Sequence, residues 1–156
     1  MRYITITCGS PIALAIFVLW AGTSATGQGP SGKVVEIAVG DNMRYTPSAI
    51  DAEPGQRLRV ILKAEGKIPA LAHNFVLLKR GTNPKRFVDK ATAAAGETGD
   101  IPSAMADQVI VAAPLVKSSA TGEVTFEAPK EPGEYTFLCT FPGHFNLGMR
   151  GRLIVK

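Results

Sequence analysis

The segment GEYTFLCTFPGHFNLGMRGRLIVK, Gly133 to Lys156, decides the fold. Tyr135, Phe137 and Cys139 alternate along its first part. Leu153 and Val155 alternate along its last part, with Ile154 facing the other way. Successive side chains of an extended chain point to opposite faces, so each run reads as a strand with one buried face. Residues 139–149 form the loop between them, and Pro132-Gly133 is the turn that leads in.

Working outward, the same period recurs. Arg57 to Lys63 places Leu58, Val60 and Leu62 inward and Arg57, Arg59 and Lys63 outward. Lys33 to Gly40 aligns Val35, Ile37 and Val39. Ala49 to Ala52, His73 to Lys79, Val109 to Val116 and Glu123 to Ala128 read as further strands. Glu53-Pro54-Gly55-Gln56 and Thr121-Gly122 read as turns. Residues 80–108 break the pattern: Asn83-Pro84 is an N-cap followed by Pro at the first helical position, and Phe87, Ala91 and Ala94 recur at helical spacing. Gly96 and Gly99 end that stretch. The fold expected is all-β, an antiparallel sandwich of about eight short strands, with one short helix in a flap.

The chain has 156 residues, enough for one domain with a real core. Hydrophobic residues at 46% against 19% charged exclude a disordered chain. The formal charge is +4, but the 17 Lys and Arg are scattered without a run, so no nucleic-acid partner is expected. Arg2 is the only charge before Lys33, an apolar stretch runs from Ile12 to Ala21, and small residues follow at Thr23, Ser24 and Ala25. That order is a secretory signal peptide, residues 1–27, followed by a flexible lead over 28–32 and one domain over 33–156. Pro11, Gly9 and Ser10 interrupt the apolar run, which argues against stable membrane insertion. With the leader removed, Cys139 is the only cysteine, so no intramolecular disulfide forms. A lone thiol outside the cytoplasm invites oxidation, whereas a metal-bound thiolate has a reason to be there.

Three kinds of metal-ligating residue converge on this reading. Cys139, His144 and Met149 share one loop in a C-x4-H-x4-M spacing, and His73 stands upstream at the start of another strand. Taken singly, a cysteine is more often a small buried hydrophobe and a methionine beside a last strand is more often core. Jointly, one thiolate, two imidazoles and a thioether suit a copper ion that cycles between two oxidation states. Zinc is the second choice.

The stretch Cys139-Thr-Phe-Pro-Gly-His144 resembles the ligand loop of the cupredoxin family of blue copper proteins, which includes azurins, auracyanins and plastocyanins. His73-Asn74-Phe75-Val76-Leu77 resembles the family's other ligand segment, and Asp41 to Tyr45 and Gly133 to Phe137 fit it as well. The spacing from His144 to Met149 is closer to auracyanins and plastocyanins than to azurins. Ala72 stands where azurins have a glycine, and Phe75 where they usually have tryptophan. The resemblance implies a Greek-key sandwich with one mononuclear copper near one end. His73, Cys139 and His144 would be equatorial ligands and Met149 a long axial one, with Asn74 holding two loops together near the thiolate. It further implies a periplasmic or otherwise exported monomer. Its partners would be redox proteins such as a c-type cytochrome or a respiratory or photosynthetic complex.

Electrons would leave by the His144 edge through an apolar patch drawn from Met43, Leu71, Pro142, Phe145 and Leu147, with Pro142 and Phe145 exposed. Phe141 and Leu147 would keep water from the metal. An enzyme with a further catalytic copper needs more histidines than the two present. A Cys–His nucleophile lacks an orienting third group. The alternative kept is a copper-binding, storage or delivery module, which would ordinarily carry more Met, His or Cys.

Overall fold

The computed structural model describes residues 32–156. The leader and all of the expected lead but Gly32 lie outside the described residues. The described residues form eleven strands: β1 (Lys33–Val39), β2 (Tyr45–Thr46), β3 (Ala49–Ala52), β4 (Arg57–Ala64), β5 (Ala72–His73), β6 (Val76–Leu78), β7 (Val109–Ala112), β8 (Val116–Lys117), β9 (Thr121–Glu127), β10 (Gly133–Leu138) and β11 (Arg150–Val155). One helix, α1 (Pro84–Ala95), and two short 3-10 turns lie between β6 and β7. No helix of the described residues is long and apolar enough to cross a membrane.

The strands build a four-stranded sheet in the order β2-β1-β4-β9, a five-stranded sheet in the order β3-β11-β10-β6-β7, and a two-stranded ladder β5-β8. The expected alternation holds: Val35, Ile37, Val39, Leu58, Val60 and Leu62 are buried between the sheets with Phe75, Tyr135, Phe137 and Leu153. The expectation of purely antiparallel pairing does not. β1 pairs with β4 in parallel, Val35 opposite Val60 and Ile37 opposite Leu62. β3 pairs with β11 in parallel too. The cause is connectivity. The chain leaves the first sheet after β2, runs β3 in the second sheet, and returns as β4 beside β1 in the same direction, which gives the Greek-key crossing of a mixed sandwich.

Three local expectations are also corrected. The run Val109 to Val116 is two strands, because β7 ends at Ala112 beside β6 while Val116 crosses to pair with His73 as β8. Thr121-Gly122 is not a turn: it extends β9, with Thr121 opposite Lys63 and Gly122 opposite Leu62. Glycine is required at 122 because a Cβ would sit 2.6 Å from the Val116 side chain. The chain turns one step earlier, where Ser119 takes φ 64° and the Ala120 N–H donates to Lys117. The run His73 to Lys79 is interrupted between β5 and β6, because Asn74 leaves the ladder to serve the loops described below.

α1 begins as its sequence predicts. Asn83 caps it by accepting from the Arg86 N–H at 3.0 Å, with Pro84 at the first position. Phe87, Val88 and Ala91 are buried, whereas Ala94 is exposed. Together with Val76, Leu78, Leu138, Met105 and Phe145 they form a second apolar cluster on the outer face of the five-stranded sheet. The flap is therefore a lid on that sheet.

Candidate metal centre

The ends of β1, β4, β7 and β10 all point to one pole of the sandwich, where the segments 40–44, 65–71, 113–120 and 139–149 meet. The 139–149 loop is anchored at both ends and coiled on itself. The Cys139 N–H donates to the Met149 carbonyl at 3.2 Å, and the Met149 N–H to the His144 carbonyl at 3.0 Å. The His144 N–H donates to Phe141 at 3.1 Å and the Leu147 N–H to Gly143 at 3.1 Å. The Arg44 guanidinium adds a clamp from outside by donating to the Leu147 carbonyl. Nothing in the sequence pattern singled out Arg44.

His73 is the last residue of β5 and is paired with Val116 of β8. This pairing carries it across to the loop. Ligand atoms of His73, Cys139 and His144 lie within 4.8 Å of one another. His73 Nδ1 is 3.3 Å from Met149 Sδ. Cys139 Sγ is 3.5 Å from His144 Nδ1. All four residues are buried, with exposures of 2% or less.

Burial sets the charge state of this cluster. It pushes the Cys139 thiol up to about 11, against a smaller opposing effect of the Asn74 and Phe141 backbone N–H groups, which face the sulfur. It holds His144 down to about 4, helped by the neighbouring His73. It lowers His73 as well, partly offset by Asp41. Both imidazoles are therefore neutral at pH 7 and have lone pairs to give. His144 Nε2 is buried without a hydrogen-bond partner. Two imidazoles, a thiol and a thioether packed together with an orphaned polar atom, and no carboxylate among them, fit a soft cation such as copper.

Asn74 connects the two ligand segments. Its Nδ2 donates to Thr140 Oγ1 at 2.7 Å, and its Oδ1 accepts from the Thr140 N–H at 3.0 Å. The Tyr45 hydroxyl donates to the Asn74 carbonyl at 2.6 Å. In the sequence Tyr45 stands out only as the end of the Asp41 to Tyr45 segment that fits the family.

The surface over the site differs from the sequence expectation. Phe145 is not exposed: its ring is 5% accessible and packs in the cluster under α1. Leu147 is the exposed one, at 58%, so it does not seal the metal from water. Phe141 is half-buried with its ring 4.6 Å from that of His144. His144 itself is 2% exposed, so its edge lies beneath the surface. Met43, Leu71 and Pro142, on the segments that meet at this pole, are half-buried, and Ile68 is exposed.

Comparison with known proteins gives a consistent result. A family profile described as copper binding proteins, plastocyanin/azurin family, matches residues 33–156. Auracyanin-A of Chloroflexus aurantiacus is 30% identical over 132 residues, covering 84% of this chain and 78% of the relative. The azurin of Bordetella pertussis is 34% identical over 124 residues, covering 76% and 81%. The solved structure of auracyanin A, described as a blue copper protein, superposes with a TM-score of 0.69 at 29% identity, over 80% of this chain and 99% of that one.

Proposed function

Because this chain belongs to the plastocyanin/azurin family of copper-binding proteins, we propose that His73, Cys139 and His144 hold a single copper ion as close ligands, with Met149 as a weak fourth. The protein is a small blue-copper electron carrier and not an enzyme. The observation that carries this reading is the convergence of His73 with Cys139 and His144 from separate strands into one buried, uncharged donor cluster.

Copper bound there supplies a one-electron Cu(I)/Cu(II) couple. The chain supplies rigidity. Cys139 is fixed to the end of β10 and to Met149 at the start of β11, and His73 is fixed by the β5-β8 ladder. Two neutral imidazoles accept the metal without losing protons, while Cys139 must give one up. The Asn74 and Phe141 N–H groups aim at the sulfur and spread its negative charge. Pro142 has no N–H to add a third.

The partner face is the pole formed by Leu147, Pro142, Leu71 and Met43. It suits brief encounters with redox proteins, such as a c-type cytochrome or a respiratory or photosynthetic complex. Cleavage of residues 1–27 would deliver the domain over 33–156 to the periplasm, or otherwise outside the cytoplasm, as a monomer.

Copper titration of the purified protein, followed by visible absorption and paramagnetic resonance, tests the reading. One equivalent of Cu(II) should produce an intense thiolate-to-copper band that saturates there. A colourless complex, or binding that continues past one equivalent without that band, would overturn it.

A further inference from the structure

Residues 96–108 join α1 to β7 and contribute none of the metal-ligating side chains, yet one of them is bonded into the site. Gly99 is buried, with φ 70° and ψ 10°. Its carbonyl accepts the Thr140 hydroxyl proton. A hydroxyl has one proton to give and two lone pairs. With the proton directed at Gly99, Thr140 Oγ1 is left as the acceptor for Asn74 Nδ2. The Thr140 N–H, which can only donate, turns the Asn74 carbonyl oxygen toward itself, and the Gly99 carbonyl completes the pair by drawing off the hydroxyl proton so that Oγ1 meets Nδ2 as an acceptor.

On its other side Gly99 lies against the residue that follows Thr140. A Cβ at 99 would stand 3.1 Å from Phe141 Cα, 3.3 Å from Phe141 N and 3.2 Å from Leu115 Cδ1. The two Phe141 atoms are backbone and could yield only by moving that peptide, whereas the Leu115 methyl is the end of a half-buried side chain. The Asn74 and Phe141 peptides are the two whose N–H groups face the Cys139 sulfur. One glycine in the flap therefore reaches both supports of the thiolate, Phe141 directly and Asn74 through Thr140.

We propose that Gly99 is a positioning residue of the copper centre: its carbonyl, through Thr140 and Asn74, and its bare Cα, against Phe141, hold two N–H groups on the Cys139 sulfur, so that the flap helps to set the reduction potential. The proposal rests on the blue-copper reading above. The sulfur carries more negative charge when the metal is reduced. A hydrogen bond donated to it therefore favours the reduced form, and loosening that bond lowers the potential.

The test compares wild type, Gly99→Ala, Thr140→Val and Thr140→Ser, each copper-loaded. Gly99→Ala and Thr140→Val should shift the potential downward and move the visible band. Thr140→Ser, which keeps the hydroxyl, should restore both toward wild type. In the copper-free protein, amide exchange at Thr140 and Phe141 should speed up in the first two variants only. Gly55→Ala is the control: Gly55 also has a positive φ, 72°, but no atom lies within 4 Å of its Cβ position. It should lose stability without moving potential or band.

A folded Gly99→Ala with unchanged potential and exchange would overturn the proposal, as would an equal shift from Gly55→Ala. If Gly99→Ala does not fold, the Thr140 pair decides, and equal potentials in wild type, Thr140→Val and Thr140→Ser would overturn it. A wild-type protein without a thiolate-to-copper band would instead refute the blue-copper reading. Amide exchange in the metal-free chain would still report on the Gly99 tie.

Discussion

Copper loading at pH 7 will release about one proton per metal bound, and that proton comes from Cys139. Burial places the thiol at about 11. At pH 7 the thiolate is then only about one part in ten thousand of the copper-free protein, and forming it costs about 5 kcal/mol, which the metal–sulfur bond must offset. His144, held down to about 4, is charged in only about one molecule in a thousand at that pH. His73 is displaced in the same direction. Neither imidazole has a proton to lose. Apparent affinity should therefore fall about tenfold for each pH unit below neutrality, and fall more steeply once His144 protonates near pH 4. Calorimetric titration in two buffers of different ionisation enthalpy counts the protons directly. Cys139→Ser should release almost none and lose the visible band. Release of two protons by wild type at pH 7 would mean a charged imidazole in the free protein. Release of none would mean a preformed thiolate. Either result would refute the role given to burial.

Met149→Leu should keep copper and colour while raising the reduction potential, because a weak axial donor favours Cu(II); loss of the metal would show that Met149 binds it more strongly than this. Leu147→Asp should slow electron self-exchange and transfer to a partner by about tenfold or more, since stranding a charge in the contact costs at least about 1.4 kcal/mol, with the absorption spectrum unchanged; Thr125→Asp, exposed on β9 away from the site, should do little, and equal slowing by both would point to a general charge effect. Asn74→Ala should destabilise the copper-free fold by about 1–3 kcal/mol, because the buried Thr140 N–H loses its acceptor; a urea midpoint within error of wild type would contradict the bridge. The copper-free protein should also weaken in acid: an unfolded His144 takes up its proton near pH 6.5 and the folded one only near 4, so stability is lost as pH falls through that window and levels off below it. Denaturation midpoints that stay level from about pH 7 to about pH 5 would refute this.

Strand positions and inward faces were legible because they depend on local period alone. Val35, Ile37 and Val39, or Leu58, Val60 and Leu62, need no knowledge of the neighbouring strand to declare a buried side. The candidate ligands of the 139–149 loop could be proposed for a related reason: Cys139, His144 and Met149 share one short loop, so spacing stands in for geometry. The helix start at Asn83-Pro84 is equally local.

What remained depends on contacts between segments far apart in the chain. Parallel pairing of β1 with β4 follows from where the chain crosses between sheets, which no period reports. The apolar pattern identifies Phe145 as hydrophobic but not which surface it meets. Once α1 closes over the outer face of the five-stranded sheet, that ring has a core to enter, and Leu147 is left outside. Gly122 and Gly99 look alike in sequence, as turn glycines. Val116 presses on one and Phe141 on the other, so close approach of another segment is what requires glycine at both. The chain by itself determined the inward faces of the long strands and the spacing of Cys139, His144 and Met149, since both are properties of neighbours in sequence. Only the packed sandwich decided that His73 meets Cys139, that burial keeps the imidazoles neutral and the thiol protonated, and that Leu147 rather than Phe145 is exposed. Each of these turns on which atoms exclude water from which, and that is settled only when separate strands come together.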